Sequence, residues 1–255
     1  MKTAGRVLLM CTCVIATAAA ADPAYVGHWK LNVAKSHLSG DTVTIAKVAG
    51  GMMQFNSQGF VYTFKTDGKE YPTPDGGTTA WTATSADVWD VTNRMNGKVA
   101  ATYHLSLQGA TLSVSGKSMK PDGTSMDFSS TYKRVSGGPG FPGKWMSTEV
   151  KAPANTLDIA ADGANGVSIS DETGPLMRGQ FDGKETPALG MMAGSKTMFV
   201  FRKIGATSFE ITTRIGGKPM YVDVYAVSAD GKTLTDHGTP SNAAQEKYTI
   251  VFDRQ

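Results

Sequence analysis

Val26-Gly27-His28-Trp29-Lys30 returns 116 residues later as Pro142-Gly143-Lys144-Trp145-Met146. Three more blocks return in the same order. Asp67-Gly68-Lys69-Glu70-Tyr71-Pro72 reappears as Asp182-Gly183-Lys184-Glu185-Thr186-Pro187, and the stretch from Trp89 to Lys98 reappears from Phe209 to Lys218. Phe128 to Arg134 matches Tyr248 to Arg254, and the offsets stay between 115 and 120 residues. A period this long is a whole domain, far above the 20–50 residues of solenoid repeats. The chain therefore reads as two homologous domains in tandem.

Inside each half the pattern has period two. Val99, Ala101, Tyr103, Leu105 and Leu107 alternate with Ala100, Thr102, His104, Ser106 and Gln108, while Phe209, Ile211 and Ile215 alternate with Glu210, Thr212 and Arg214. Such alternation means strands with one dry face. Asp-Gly pairs start at Asp67, Asp75, Asp122, Asp162, Asp182 and Asp230, and Asn-Gly pairs at Asn96 and Asn165; they supply the positive φ of tight hairpins. No segment carries a sustained helical stripe, and Val33 to Leu38 offers at most one turn of helix. Eight to nine short antiparallel strands per half predict an all-β fold of two tandem barrels, with two β-sandwiches as the alternative. Ser136-Gly137-Gly138-Pro139-Gly140-Phe141-Pro142 reads as the linker. The expected organisation is a first barrel over 22–135, a linker over 136–142 and a second barrel over 143–255.

Residues 1–21 read as a secretory signal peptide. Lys2 and Arg6 precede an apolar run from Val7 to Ala16 that is too short to span a bilayer, and small residues at Ala18 to Ala21 fit a cleavage site. Export to the periplasm or the medium is the expected localisation, with no membrane span. Both cysteines, Cys11 and Cys13, fall in this segment, so the processed chain has no disulfide or thiolate chemistry. Loss of Lys2 and Arg6 takes the formal charge from +3 to +1. So balanced a chain gives no basis for nucleic acid as a partner.

Gly27-His28-Trp29 and Gly143-Lys144-Trp145, each opening a half built of meandering hairpins, resemble the first strand of the lipocalin and fatty-acid-binding superfamily. The resemblance implies a barrel whose Trp closes one end, with a basic residue of the last strand across its ring. Arg134 and Arg254 end the last strands, and the expected pairs within each half are Arg134 with Trp29 and Arg254 with Trp145. The resemblance also implies an interior ligand site. Tyr132 and Arg134 are similar to the carboxylate-holding Tyr and Arg of fatty-acid-binding proteins in reversed order, although an Arg134 that caps a Trp cannot also hold a ligand. The string from Gly27 to Ser36 is similar to exported bacterial proteins.

No catalytic constellation stands out. His28, His37, His104 and His237 have no counterparts in the opposite half and no metal-ligand spacing, so no metal or other cofactor is called for. There is no Gly-x-Ser-x-Gly and no phosphate-binding glycine loop. Met52-Met53 and Met191-Met192 read as adaptable core filling or as the lining of a soft cavity. Asp90 with Arg94, and Glu210 with Arg214, are expected on the solvent face as ion pairs. The residues expected to line an interior are Trp89, Val91, Tyr103, Leu105, Tyr132, Phe209, Ile211, Tyr221 and Tyr225. The leading functional expectation is an exported binding protein for a small apolar or amphipathic ligand. The alternatives are an envelope module with filled barrels that docks a protein partner, and a small-barrel isomerase, which would need an inward ionisable group.

Overall fold

The computed structural model describes residues 22–37, 40–120, 122–151, 156–241 and 247–255. The signal-peptide reading of residues 1–21 lies outside them, as does Leu38. Residues 32–36 form hydrogen-bonded turns in place of the single helical turn expected there.

After β1 (Gly27–Leu31), ten consecutive strands build one antiparallel sheet: β2 (Thr42–Val48), β3 (Met52–Ser57), β4 (Phe60–Phe64), β5 (Asp67–Pro72), β6 (Thr78–Ser85), β7 (Val88–Met95), β8 (Lys98–Gln108), β9 (Thr111–Met119), β10 (Ser125–Ser136) and β11 (Gly143–Lys151). The second sheet takes β12 (Thr156–Ala161), β13 (Gly166–Asp171), β14 (Gly174–Gln180), β15 (Glu185–Pro187), β16 (Thr197–Lys203), β17 (Ser208–Ile215), β18 (Lys218–Val227), β19 (Thr233–Pro240), β20 (Tyr248–Arg254) and, between β12 and β20, the distant β1. The edge strands β4 and β5 of the first sheet approach each other, as do β14 and β15 of the second, so each sheet is a nearly closed barrel.

This order corrects the expected division of the chain. Residues 27–31 belong to the second barrel and residues 143–151 to the first. The reason is chain geometry. The last strand of the first half and the first strand of the second are joined by a short Gly/Pro connection, so β10 and β11 zip into a local hairpin, with Arg134 opposite Trp145. That leaves β1 to pair with β20, Trp29 opposite Arg254, so the two ends of the chain close the second barrel.

The same exchange corrects the expected arginine pairs. The Arg134 guanidinium lies 4.1 Å from the Trp145 ring centroid, and Arg254 lies 4.1 Å from that of Trp29. Both indoles are fully buried. Each donates its N–H to the carbonyl four residues earlier, Trp29 to Tyr25 at 3.0 Å and Trp145 to Phe141 at 2.9 Å. Arg134 donates to Gly140 O and Pro142 O, while Arg254 donates to Ala24 O, Val26 O and Gly231 O. Both glycines of Gly-x-Trp have positive φ and the arginine lies against each: a Cβ on Gly27 would sit 2.5 Å from Arg254 Nη1, and one on Gly143 would sit 2.7 Å from Ser136 O and 2.9 Å from Arg134 Nη1. Two of the repeated blocks are thus the two sides of one plug. Arg134→Ala should lower the stability of the first barrel by about 1–2 kcal/mol through lost cation–π and stem contacts. Chemical denaturation of the variant checks this, and an unchanged midpoint would remove the role.

The other two blocks carry a repeated ion pair on the outer face. Arg94 meets Glu70 at 3.1 Å and Arg214 meets Glu185 at 2.9 Å. The same-strand pairs expected from sequence do not form. Asp90 instead meets His104 at 2.8 Å, and Glu210 meets Arg202 at 3.9 Å. Asp90 is exposed, and Arg94, Glu210 and Arg214 are half-buried.

Candidate functional site

Ten strands make a wider barrel than the eight that side chains just fill. Whether the extra width stays open depends on the residues pointing in, and here the two halves diverge. In the second barrel Phe199, Phe201, Phe209, Ile211, Tyr225 and Leu234 form a packed core with Tyr25 and Trp29. Phe209 stacks on Tyr225 with centroids 5.0 Å apart and meets the edge of Tyr25 at 4.8 Å. At the position of Phe199 the first barrel has Thr79, and at that of Tyr221 it has Ala101. The first barrel holds a cavity of about 320 Å³, at the lower end of the range for small-molecule pockets.

The cavity's walls are aliphatic and aromatic. Val43, Ile45, Val91, Leu105, Leu112 and Val114 supply the aliphatic surface, and Phe55, Phe60, Tyr62, Trp81, Tyr103 and Tyr132 the rings. Phe55 stacks on Tyr62 at 5.1 Å, and Trp81 stacks on Phe64 at 4.2 Å, which holds these rings as a rigid wall. Ile215 and Tyr221 come from the second barrel, so the cavity is completed across the junction between the barrels. Two hydrogen bonds to main-chain carbonyls cross that junction: the Asn96 side chain donates from Nδ2 to Ala193 O at 2.8 Å, and Lys196 N donates to Asp75 O at 2.5 Å. No Asp, Glu, Lys, Arg or His lines the cavity.

Its polar groups are Ser57, Asn93, four phenols and the indole N–H of Trp81, which is buried without a partner. Asn93 Oδ1 accepts from the buried Thr79 hydroxyl at 2.8 Å. Burial pushes the Tyr62, Tyr103 and Tyr132 phenols above their ordinary value, and Tyr221 is pushed up to about 12 by burial and by the nearby Asp41 and Asp223 carboxylates. All four are neutral O–H groups at physiological pH.

Of the nine residues expected to line an interior, the structure brings Val91, Tyr103, Leu105, Tyr132 and Tyr221 together at this cavity. Trp89 is buried in the first barrel's core, but its ring stacks on Phe141 at 4.0 Å beside the Trp145 plug and does not reach the cavity. Phe209, Ile211 and Tyr225 are core packing of the second barrel. Arg134 is held by the plug, so the carboxylate-binding role considered for the Tyr132–Arg134 pair is not available in this arrangement. Met52 and Met53 lie at the start of β3, whereas Met191 and Met192 end a short 3-10 turn. Met191 shares an inter-barrel groove with Met95, Met119, Lys98 and Lys120, outside the cavity.

Sequence reasoning missed a buried acid pair. Asp223 and Asp236 are 8% and 5% exposed inside the second barrel. The Tyr248 hydroxyl donates to Asp223 Oδ1, whereas Asp236 Oδ1 is buried without a partner. Burial raises both carboxyls, and the proximity of Asp223 raises Asp236 further. The signal was present in the spacing: Asp223 shares the parity of Tyr221 and Tyr225, both expected to face inward.

Among the described residues no three His, Cys, Asp or Glu side chains cluster as metal ligands, and no helix is long and apolar enough to cross a membrane. His28 and His104 are exposed and paired with Asp158 and Asp90. No protein-family model and no curated protein sequence matches this chain.

Proposed function

We propose that the chain is an exported binding protein whose first barrel takes up a small, uncharged, largely apolar molecule. The observation that carries this is the cavity of about 320 Å³ walled by apolar and aromatic side chains with no charged group on it. Moving a charged ligand into such a site leaves its charge without a partner, at a cost of several kcal/mol, whereas an apolar body gains roughly 25 cal/mol for each Å² removed from water. The leader-like residues 1–21 support export. The Gly-x-Trp opening with an arginine over the indole supports a lipocalin-like relationship for each barrel. In this reading the second barrel is a filled partner that supplies part of the wall.

The test is a titration with the neutral fluorophore N-phenylnaphthylamine. Enhancement saturating at micromolar concentration is expected for the wild type. Leu105→Trp, which fills the space, should weaken it at least about ten-fold, a loss of about 1.4 kcal/mol. Binding unchanged by the filling variant, or no binding by the folded wild type, would refute the proposal.

The isomerase alternative receives its inward ionisable groups in Asp223 and Asp236, but these sit in the packed barrel and neither lines the cavity. That favours binding over catalysis as the role of the hollow barrel.

A further inference from the structure

We infer a second ligand site, a groove between the two barrels that takes a small amphipathic anion, its apolar body on three methionines and its anionic head met by two lysines. The groove is separate from the cavity of the first barrel, and neither reading depends on the other.

The groove holds about 450 Å³. It forms where the β7–β8 turn and the end of β9 in the first barrel meet the short 3-10 turn Gly190–Met192 of the second. Asn96, held at a positive φ of 51° in the first of these turns, reaches across to the Ala193 carbonyl and ties the two walls together. Met95 and Met119 come from the first barrel, Met191 from the second, and Val99 adds aliphatic surface. Thioether side chains are unbranched and polarisable, so such a wall adapts to the shape of an apolar body.

The charge on the groove is of one sign. Lys98 and Lys120 line it, and no Asp or Glu among the described residues does. Lys35, Lys117, Lys151 and Lys184 each meet a carboxylate within 4 Å, whereas neither lysine of the groove is in such a pair among the described residues. Asp122, on the turn that follows Lys120, accepts from the Thr124 amide and hydroxyl and does not line the groove. It feels Lys120 only through space. Two ammonium groups beside an apolar wall suit a ligand with an anionic head, which they meet with charge-assisted hydrogen bonds. Three thioethers alone would suit a soft metal cation, but the two ammonium groups on the same groove repel one. The cavity of the first barrel makes the opposite choice, because no cation there offsets the cost of burying an anion.

Two fluorophores with one ring body separate the sites. N-phenylnaphthylamine is neutral, and anilinonaphthalene sulfonate is the same body with a sulfonate added. On the full chain the sulfonate is expected to bind saturably in the groove without displacing the neutral probe from the cavity. The double variant Lys98→Gln/Lys120→Gln keeps much of both stems and removes both charges. It should weaken the sulfonate at least about five-fold at low salt and leave the neutral probe's affinity in place. Raising the salt to about 0.5 M should shrink that difference, since both lysines are reached by solvent. A control pair on the first barrel outside the groove, Lys47→Gln/Lys133→Gln, should leave both probes unchanged. No saturable binding of the sulfonate, an affinity unmoved by the groove variant, an equal loss in the control, or displacement of the neutral probe by the sulfonate would overturn the inference. Loss of neutral-probe binding alone would instead remove the cavity reading and leave the groove standing.

Discussion

Trp29→Ala is expected to open the second barrel and to leave the first largely intact, although Trp29 lies at the start of the first repeat. The indole is fully buried, carries Arg254 on its face and holds the Tyr25 carbonyl, and its strand pairs with β12 on one side and β20 on the other. Truncating a buried Trp costs about 3–5 kcal/mol through lost burial and an unfilled cavity. Here it also leaves the Arg254 guanidinium without the surface it packs on. Hydrogen exchange read by peptide locates the damage: amides of β12, β19 and β20 should lose protection before those of β2 to β10. Trp145→Ala should give the opposite map, because β11 lies between β10 and β2. Loss of protection in β2 to β10 on removing Trp29 would return residues 27–31 to the first barrel and undo the closure of the chain ends.

The repeat was legible because both its closures depend on side chains that the duplication retained. Trp29 and Trp145, Arg134 and Arg254, and the ion pairs Glu70–Arg94 and Glu185–Arg214 account for the recurring blocks in physical terms. Which Trp meets which Arg was not legible, since both pairings place identical residue types in contact. The choice is made by the length of the connection: Arg134 and Trp145 are joined by a turn, and β1 then has only β20 left to pair with. The number of strands was underestimated because short edge strands such as β15 (Glu185–Pro187) carry no alternation to read. The cavity was not legible either. Alternation places Tyr103 and Leu105 inside, but the cavity is also walled by Ile215 and Tyr221 of the second barrel. How the two barrels meet is not written in the alternation of either half.

The acid pair in the filled barrel leads to the second large expected effect, a stability that falls as the pH rises. Asp223 and Asp236 are both buried, and neither has an ion-pair partner among the described residues; the phenols of Tyr221, Tyr225 and Tyr248 are the titratable groups around them. Two carboxylates in so small a space cannot both ionise cheaply, and burial raises both, Asp236 the more. In the unfolded chain each titrates near the ordinary value of about 4. The folded state therefore binds more protons than the unfolded one between that value and the raised ones. The pair's contribution is fully present below about pH 4 and is lost as the pH rises through the raised values toward neutrality and beyond. The surface carboxylates Asp90, Asp122, Asp182, Asp230 and Asp253 are held below their usual range chiefly by side-chain hydrogen bonds, and Asp67, against desolvation as its largest single influence, by the Lys69 N–H and the Tyr71 hydroxyl together; all six act in the opposite sense. Their effect appears only in acid, so it does not mask a slope measured between pH 5 and 9. Replacing both buried acids by asparagine keeps an acceptor for the Tyr248 hydroxyl and removes the titration. The double variant should be more stable than the wild type at pH 8 by on the order of 3 kcal/mol, with the gap closing toward pH 5. Urea denaturation across that range measures both chains under the same conditions, and the histidines, common to both, cancel in the difference. A gap that stays constant with pH would mean that the two carboxyls titrate in the folded protein as they do in the unfolded chain.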